Sequence, residues 1–267
     1  MGLGRDRLYA ADVENDADPR PGLTVRGAGA PIVMIHGFTQ TRACWGPFAE
    51  NLAVDHQLML VDAPGHGDSA AVVADLVEGA DLLAGTGGRG TYLGYSMGGR
   101  FALHVALRHP ELVESLILIS TTAGIDDAAE RSIRRRADDT LAAHIEDIGV
   151  EAFIDEWLAQ PMFSSLGVDI SLAELRRENT AAGLASSLRN AGTGTQSPLW
   201  ARIHELDMPV LVIAGADDAK FVAHARRLVE SIGSNAELEI IPGVGHSAQL
   251  EEPTRTATIV REWLSRR

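Results

Sequence analysis

Gly90-Thr-Tyr-Leu-Gly94-Tyr95-Ser96-Met97-Gly98-Gly99-Arg100 is the stretch on which the fold turns. A short apolar run enters the pattern G-x-S-x-G over residues 94–98, and a helical pattern follows from about Arg100 to Arg108. Small residues around the serine let a strand turn sharply into a helix, which leaves the hydroxyl exposed at the helix start. Free backbone N–H groups at that end favour developing negative charge. His109-Pro110 closes the helix, since proline disfavours helical geometry in the residue before it. Taken alone the stretch also fits a glycine-rich structural turn, so its surroundings decide.

Working outward, Pro31–Ile35, Gln57–Val61 and Ser115–Ile119 are compact apolar runs that do not alternate with polar residues. Such runs predict strands buried on both faces. A helix is expected over Ala70–Leu83, after a glycine- and proline-rich loop from Asp62 to Ser69. Strand and helix thus alternate, which implies a parallel sheet with right-handed crossovers. The rhythm breaks at residue 124. Up to about 206 the pattern predicts helices only, at Ala128–Ile148, Glu151–Ala159, Ser171–Glu178 and Ala181–Arg189. Strands return at Pro209–Ala214 and Glu237–Ile241, with helices at Phe221–Ser231 and Thr254–Leu264. Residues 1–30 supply one or two short edge strands, around Leu8–Ala11 and Thr24–Arg26. The organisation expected is an α/β core from 1–123 and 207–267, with a helical lid, 124–206, inserted over the sheet's C-terminal edge.

Composition narrows the class. The chain has 267 residues, 45% hydrophobic, enough for one large core with a small insertion. No run approaches the length needed to span a bilayer, and no signal-peptide pattern follows Met1, so the expected location is the cytoplasm. A formal net charge of -14 argues against a nucleic-acid partner. The single cysteine, Cys44, excludes an intrachain disulfide and reads as a packing residue. Nothing implies a metal or an organic cofactor, and no feature predicts a protein partner.

Further along, Asp218 follows the strand at 209–214 through Gly215-Ala216-Asp217, and His246 follows the strand at 237–241 in Gly243-Val244-Gly245-His246. In this arrangement His246 polarises the Ser96 hydroxyl, and the acid fixes the ring's tautomer and orientation. Asp217 competes with Asp218 for that role; spacing after the glycine turn favours Asp218. His36, His56, His66, His104 and His109 read as loop, packing or surface histidines. His36-Gly37-Phe38 ends another strand, and the N–H of Phe38 can join that of Met97 to cradle an oxyanion. The order serine, acid, histidine at successive strand ends resembles the α/β-hydrolase fold.

The arginines sharpen the chemistry. Arg100 opens the helix beyond the serine, Arg131, Arg134, Arg135 and Arg136 open the helical insertion, and Arg176 lies on a later helix of it. A guanidinium can grip a carboxylate with two parallel hydrogen bonds, although acids such as Asp138 and Glu174 are also available as surface partners.

Several motifs together resemble the 2-succinyl-6-hydroxy-2,4-cyclohexadiene-1-carboxylate synthases of menaquinone biosynthesis. They are Ser96-Met97-Gly98-Gly99-Arg100, the run Glu130–Arg136, Trp157 followed by Gln160-Pro-Met-Phe163, Ser197-Pro-Leu-Trp200, Gly215-Ala-Asp-Asp-Ala-Lys-Phe221 and Gly245-His246-Ser247. The likeness runs from about Pro31 to the C-terminus. It implies elimination of pyruvate from 2-succinyl-5-enolpyruvyl-6-hydroxy-3-cyclohexene-1-carboxylate, a small-molecule tricarboxylate, with Ser96 as a base activated by His246 and Asp218. Carried over by motif, Arg100, Arg134 and Arg176 bind carboxylates, with Arg177 complicating the register of the last. Tyr95, Trp157 and Lys220 match pocket positions.

Two other readings compete. A carboxylesterase or carbon–carbon bond hydrolase would use Ser96 as a nucleophile, with water completing turnover. A non-enzymatic binding protein could retain the fold, but the intact serine, acid, histidine and oxyanion glycine argue against it.

Overall fold

A computed structural model describes residues 21–166 and 170–267. The edge strand expected around Leu8–Ala11 lies outside the described residues. The strands are β1 (Leu23–Arg26), β2 (Ala30–Ile35), β3 (His56–Val61), β4 (Gly90–Tyr95), β5 (Val113–Ile119), β6 (Val210–Gly215) and β7 (Ala236–Ile241). They form one sheet in the order β1-β3-β2-β4-β5-β6-β7, with β1 antiparallel to β3 and the other pairings parallel.

Successive strand residues serve opposite faces although both faces are buried. Val33, Ile35, Leu116, Leu118, Val210 and Val212 pack with α2 (Leu76–Gly87), α3 (Met97–Arg108) and α7 (Ala219–Ile232). Ile32, Met34, Ile117, Ile119, Leu211 and Ile213 pack with α1 (Gly46–Leu52), α8 (Ala248–Glu251) and α9 (Pro253–Leu264). Covered on both sides, a strand needs no polar face, which is why the sequence shows unbroken apolar runs.

Between β5 and β6 the described chain is helical: α4 (Ala128–Leu158), α5 (Ile170–Arg177) and α6 (Ala181–Ala191). Ala142, Ile145, Phe153 and Ile154 of α4 close a separate apolar cluster with Leu184, Ala185 and Leu188 of α6. The two helices expected at 128–148 and 151–159 are the arms of α4, broken at Gly149, whose φ of 79° is left-handed.

One helix begins later than the apolar spacing predicts. Residues 70–75 are turn and coil, and α2 starts at Leu76. The Asp75 carboxylate accepts from the N–H groups of Val77 and Glu78 while Glu78 reaches back to the Asp75 N–H, so a local capping box sets the boundary.

Register brings the chemistry to one edge. Ile35 pairs with Gly94, Tyr95 with Ile119, Ile119 with Ile213, and Gly215 with Ile241. The loops after β2, β4, β6 and β7 therefore leave the same end of the sheet. The strand order reverses between β2 and β4, and such a reversal opens a ligand crevice beyond the C-terminal strand ends.

Candidate active site

Ser96 occupies the turn between β4 and α3 with φ 52° and ψ -108°, a backbone conformation costly for a residue with a Cβ. Surrounding contacts hold it there: its N–H donates to Ile119 O at 2.9 Å, and Thr121 Oγ1 donates to its carbonyl at 2.7 Å. A Cβ at Gly98 would stand 1.9 Å from Ile35 O, so the turn closes only with glycine there.

His246 Nε2 lies 3.1 Å from Ser96 Oγ, and its Nδ1 lies 2.8 Å from Asp218 Oδ2. The carboxylate that reaches His246 is that of Asp218, while Asp217 is exposed one residue earlier. Asp218 Oδ1 also accepts from the Phe221 N–H at 3.2 Å, capping α7. Burial raises the Asp218 pKa, but the hydrogen bonds from His246 and Phe221 with the nearby cations outweigh it, and the net shift is downward. An ionised carboxylate accepts the Nδ1 proton, which leaves Nε2 to take the serine proton.

Met97 is the first residue of α3, where an N–H has no intrahelical acceptor. Phe38 joins Ser96 and Met97 in the wall of the cavity. The loop carrying Phe38 is held by buried groups. His36 Nε2 accepts from the Ala63 N–H at 3.1 Å, so Nδ1 bears the proton and donates to Gly37 O at 2.9 Å. Burial lowers the His36 pKa to about 4, which keeps the ring neutral. His36 is a packing histidine, as expected, yet its hydrogen bonds serve this loop.

The cavity beside Ser96 has a volume of about 360 Å3 and is lined by Arg100, Arg134, Trp157, Lys220 and His246 among others. Arg100 is buried, and its Nη1 donates to Ala191 O at 2.6 Å. Burial, with Arg134 nearby, lowers its pKa to about 10. Arg134 Nε donates to the buried Asp138 at 2.7 Å. The wall thus has three cationic side chains and one carboxylate. Trp157 stands edge to face with Phe38, centroids 5.2 Å apart. Among the described residues, no three His, Cys, Asp or Glu side chains group as a metal site.

Two sequence-predicted pocket residues lie behind this wall. Tyr95 is buried and bonds Ser247 Oγ through its hydroxyl at 2.6 Å. Arg176 is also buried; its Nη1 donates to Thr39 Oγ1, and Nε and Nη2 have no partner among the described residues. Burial lowers its pKa. Arg177 instead pairs with Glu151, Asp155 and Glu174 at the surface, which distinguishes the two neighbours. Of the other early arginines, Arg131 binds the carbonyls of Ile125 and Asp126, and Arg136 binds Ser132. Sequence reasoning missed His224, which lines the cavity one helical turn from Lys220; the i, i+4 spacing was the available signal.

A Ser–His–Asp relay at the C-terminal strand ends of a mostly parallel sheet defines an α/β-hydrolase-fold enzyme, and the family model described as alpha/beta hydrolase fold matches residues 30–253. A Bacillus subtilis (strain 168) protein provisionally assigned as 2-succinyl-6-hydroxy-2,4-cyclohexadiene-1-carboxylate synthase is 37% identical, over 89% of this chain and 91% of its own. The synthase of that name from Photorhabdus laumondii is 31% identical, over 88% of this chain and 85% of its own. The structure of MenH from S. aureus superposes with a TM-score of 0.83 at 28% identity, covering 91% of this chain and 98% of its own. The chain belongs to the 2-succinyl-6-hydroxy-2,4-cyclohexadiene-1-carboxylate synthase family.

Proposed function

We propose that this enzyme eliminates pyruvate from 2-succinyl-5-enolpyruvyl-6-hydroxy-3-cyclohexene-1-carboxylate to give 2-succinyl-6-hydroxy-2,4-cyclohexadiene-1-carboxylate. The observation that carries the reading is the cavity in which Ser96 and His246 share one wall with Arg100, Arg134 and Lys220, in a chain of net charge -14. A substrate with three carboxylates calls for such a concentration of cations. The motif likeness quoted above and the family membership support the same assignment.

His246 takes the Ser96 hydroxyl proton, and the serine oxygen removes the proton from the ring carbon bearing the succinyl group. The electron pair passes first to the succinyl carbonyl oxygen, where the N–H groups of Phe38 and Met97 stabilise it. It then returns through the ring. The new double bond and the shifted one form the conjugated diene, and the bond to enolpyruvate breaks. The oxygen leaves with the bonding pair as the enolate of pyruvate, which takes up at its methylene carbon the proton held by His246 and becomes pyruvate. No water is added, and no cofactor is required. Arg100, Arg134 and Lys220 bind carboxylates, and Trp157 packs on the ring. Tyr95 and Arg176 act from behind, Tyr95 through Ser247 and Arg176 through the Phe38–Thr39 loop. Segment 124–206 serves as the lid. Among the described residues no helix is long and apolar enough to cross a membrane, and a soluble cytoplasmic enzyme fits this reading.

The test is pyruvate release from freshly made substrate, with Ser96→Ala alongside. The expected result is Ser96-dependent pyruvate together with the diene's ultraviolet absorbance. Wild-type protein that gives no acceleration over the spontaneous rate moves the assignment to ester or carbon–carbon bond hydrolysis.

A further inference from the structure

His246 sits in a loop between β7 and α8, with no regular element of its own to orient it. The backbone on both sides of it is held by one side chain. Glu251 Oε2 accepts from the Gly245 N–H at 2.6 Å, and Oε1 accepts from the Ser247 N–H at 2.9 Å. A carboxylate that takes the N–H groups of the residues before and after His246 fixes the Val244–Gly245 and His246–Ser247 peptide planes, which bracket it. The Gly245 position is itself crowded: a Cβ there would meet Ser165 Oγ at 2.7 Å and the Glu251 carboxylate at 3.3 Å. Ser247 also reaches Tyr95, the neighbour of Ser96, so the residues beside the two reacting groups are joined at 2.6 Å.

We infer that Glu251 is a positioning residue for His246: its carboxylate clamps the amides of Gly245 and Ser247 and so holds Nε2 within proton-transfer distance of Ser96. The inference rests on the Ser96–His246–Asp218 relay and not on the identity of the substrate. Both bonds are charge-assisted, and neutralising the acceptor weakens them. In Glu251→Gln the amide keeps one oxygen for one N–H but turns its own NH2 toward the other, donor against donor. Size and packing stay the same.

The experiment follows labelling of Ser96 by a neutral fluorophosphonate, read by mass spectrometry. The Ser96 Oγ–P bond forms, the P–F bond breaks, fluoride leaves, and the hydroxyl proton passes to His246 and then to solvent. Glu251→Gln is expected to label roughly tenfold more slowly, equivalent to about 1.4 kcal/mol in the barrier. Glu251→Ala should be slower still. With the cyclohexene substrate, kcat should fall by a similar factor while KM stays within about twofold. Folded Glu251→Gln protein that labels within twofold of wild type overturns the positioning role, whatever the alanine variant does. Wild type that labels but releases no pyruvate removes the substrate assignment alone, and the Glu251 comparison still decides. Wild type inert to the probe overturns the relay and the clamp together.

Discussion

Replacing Arg100 with methionine should make the empty protein more stable and the enzyme much worse. Burial with Arg134 nearby lowers the Arg100 pKa from 12.5 to about 10, so the folded protein holds this cation at a cost of about 3 kcal/mol. Most of the cost is the burial itself, and it goes uncompensated because two guanidinium groups face one carboxylate, Asp138, which is already bonded to Arg134. Methionine fills similar space without charge and leaves Asp138 and Arg134 as a matched pair. It also strands the Ala191 carbonyl, a loss of about 1–3 kcal/mol. The net gain is about 0–2 kcal/mol, which corresponds to a melting temperature higher by up to roughly 4 °C. In catalysis the sign reverses. A substrate carboxylate left in the cavity without its cation should lower kcat/KM by roughly 30- to 5,000-fold. Labelling of Ser96 by the neutral fluorophosphonate should change less than about threefold, because it needs no carboxylate grip. Calorimetry of the empty proteins, pyruvate release and labelling give the three readings. A lower melting temperature in the variant would refute the cost assigned to the buried cation. Pyruvate release and labelling that fall together would refute its role in gripping the substrate.

Acid should unfold the protein through its buried neutral histidines. Burial lowers His36 and His104 to about 4 and His66 to about 3, below the ordinary 6.5. The unfolded chain binds these protons first, so their stability is fully present above about pH 6.5 and is lost as pH falls toward 4, at a slope of about 4 kcal/mol per unit near pH 5. Urea midpoints that stay flat from pH 7 to 5 would contradict this. Asp218→Asn should reduce pyruvate release at least about a hundredfold, while Asp217→Asn stays within about twofold; steady-state kinetics of the pair tests which acid serves His246. Gly98→Ala should destabilise the fold by at least about 3 kcal/mol in denaturant titration, since its Cβ meets the Ile35 carbonyl at 1.9 Å.

Much of this fold could be read from local pattern. Core strands between helices produce unbroken apolar runs, and the glycines at 94 and 98 have a single geometric use in the turn at Ser96. That Ser96, His246 and Asp218 meet was legible for the same reason: each follows a strand that the apolar runs identify. What escaped depends on distances across the fold. The late start of α2 was decided by Asp75 and Glu78, a capping pair that the apolar spacing around it obscured. Tyr95 and Arg176 carry the residue types of a pocket wall, yet their directions are set by Ser247 and Thr39, far away in sequence. Glu251 is close to His246 in sequence but serves it through backbone amides. No side-chain pattern announces such a contact.

The relay alone does not select elimination over hydrolysis. On the proposed mechanism, as in hydrolysis, His246 takes the serine proton and the N–H groups stabilise an oxyanion; what differs is the substrate atom held against Ser96 Oγ. On the proposed function that choice falls to the groups that fix the carboxylates, of which Arg100 is buried and Arg134 and Lys220 are exposed. A surface arginine in a protein of net charge -14 sits among competing acids, as Arg177 does with Glu151, Asp155 and Glu174. Its field is screened within about 8 Å at physiological salt. Arg100, buried and bonded among the described residues to a carbonyl alone, shares the cavity with one acid, Asp138, which Arg134 already holds, and it meets little screening. On this reading, the destabilising burial of Arg100 is what gives a tricarboxylate one orientation in the cavity, with its acidic ring carbon toward the serine.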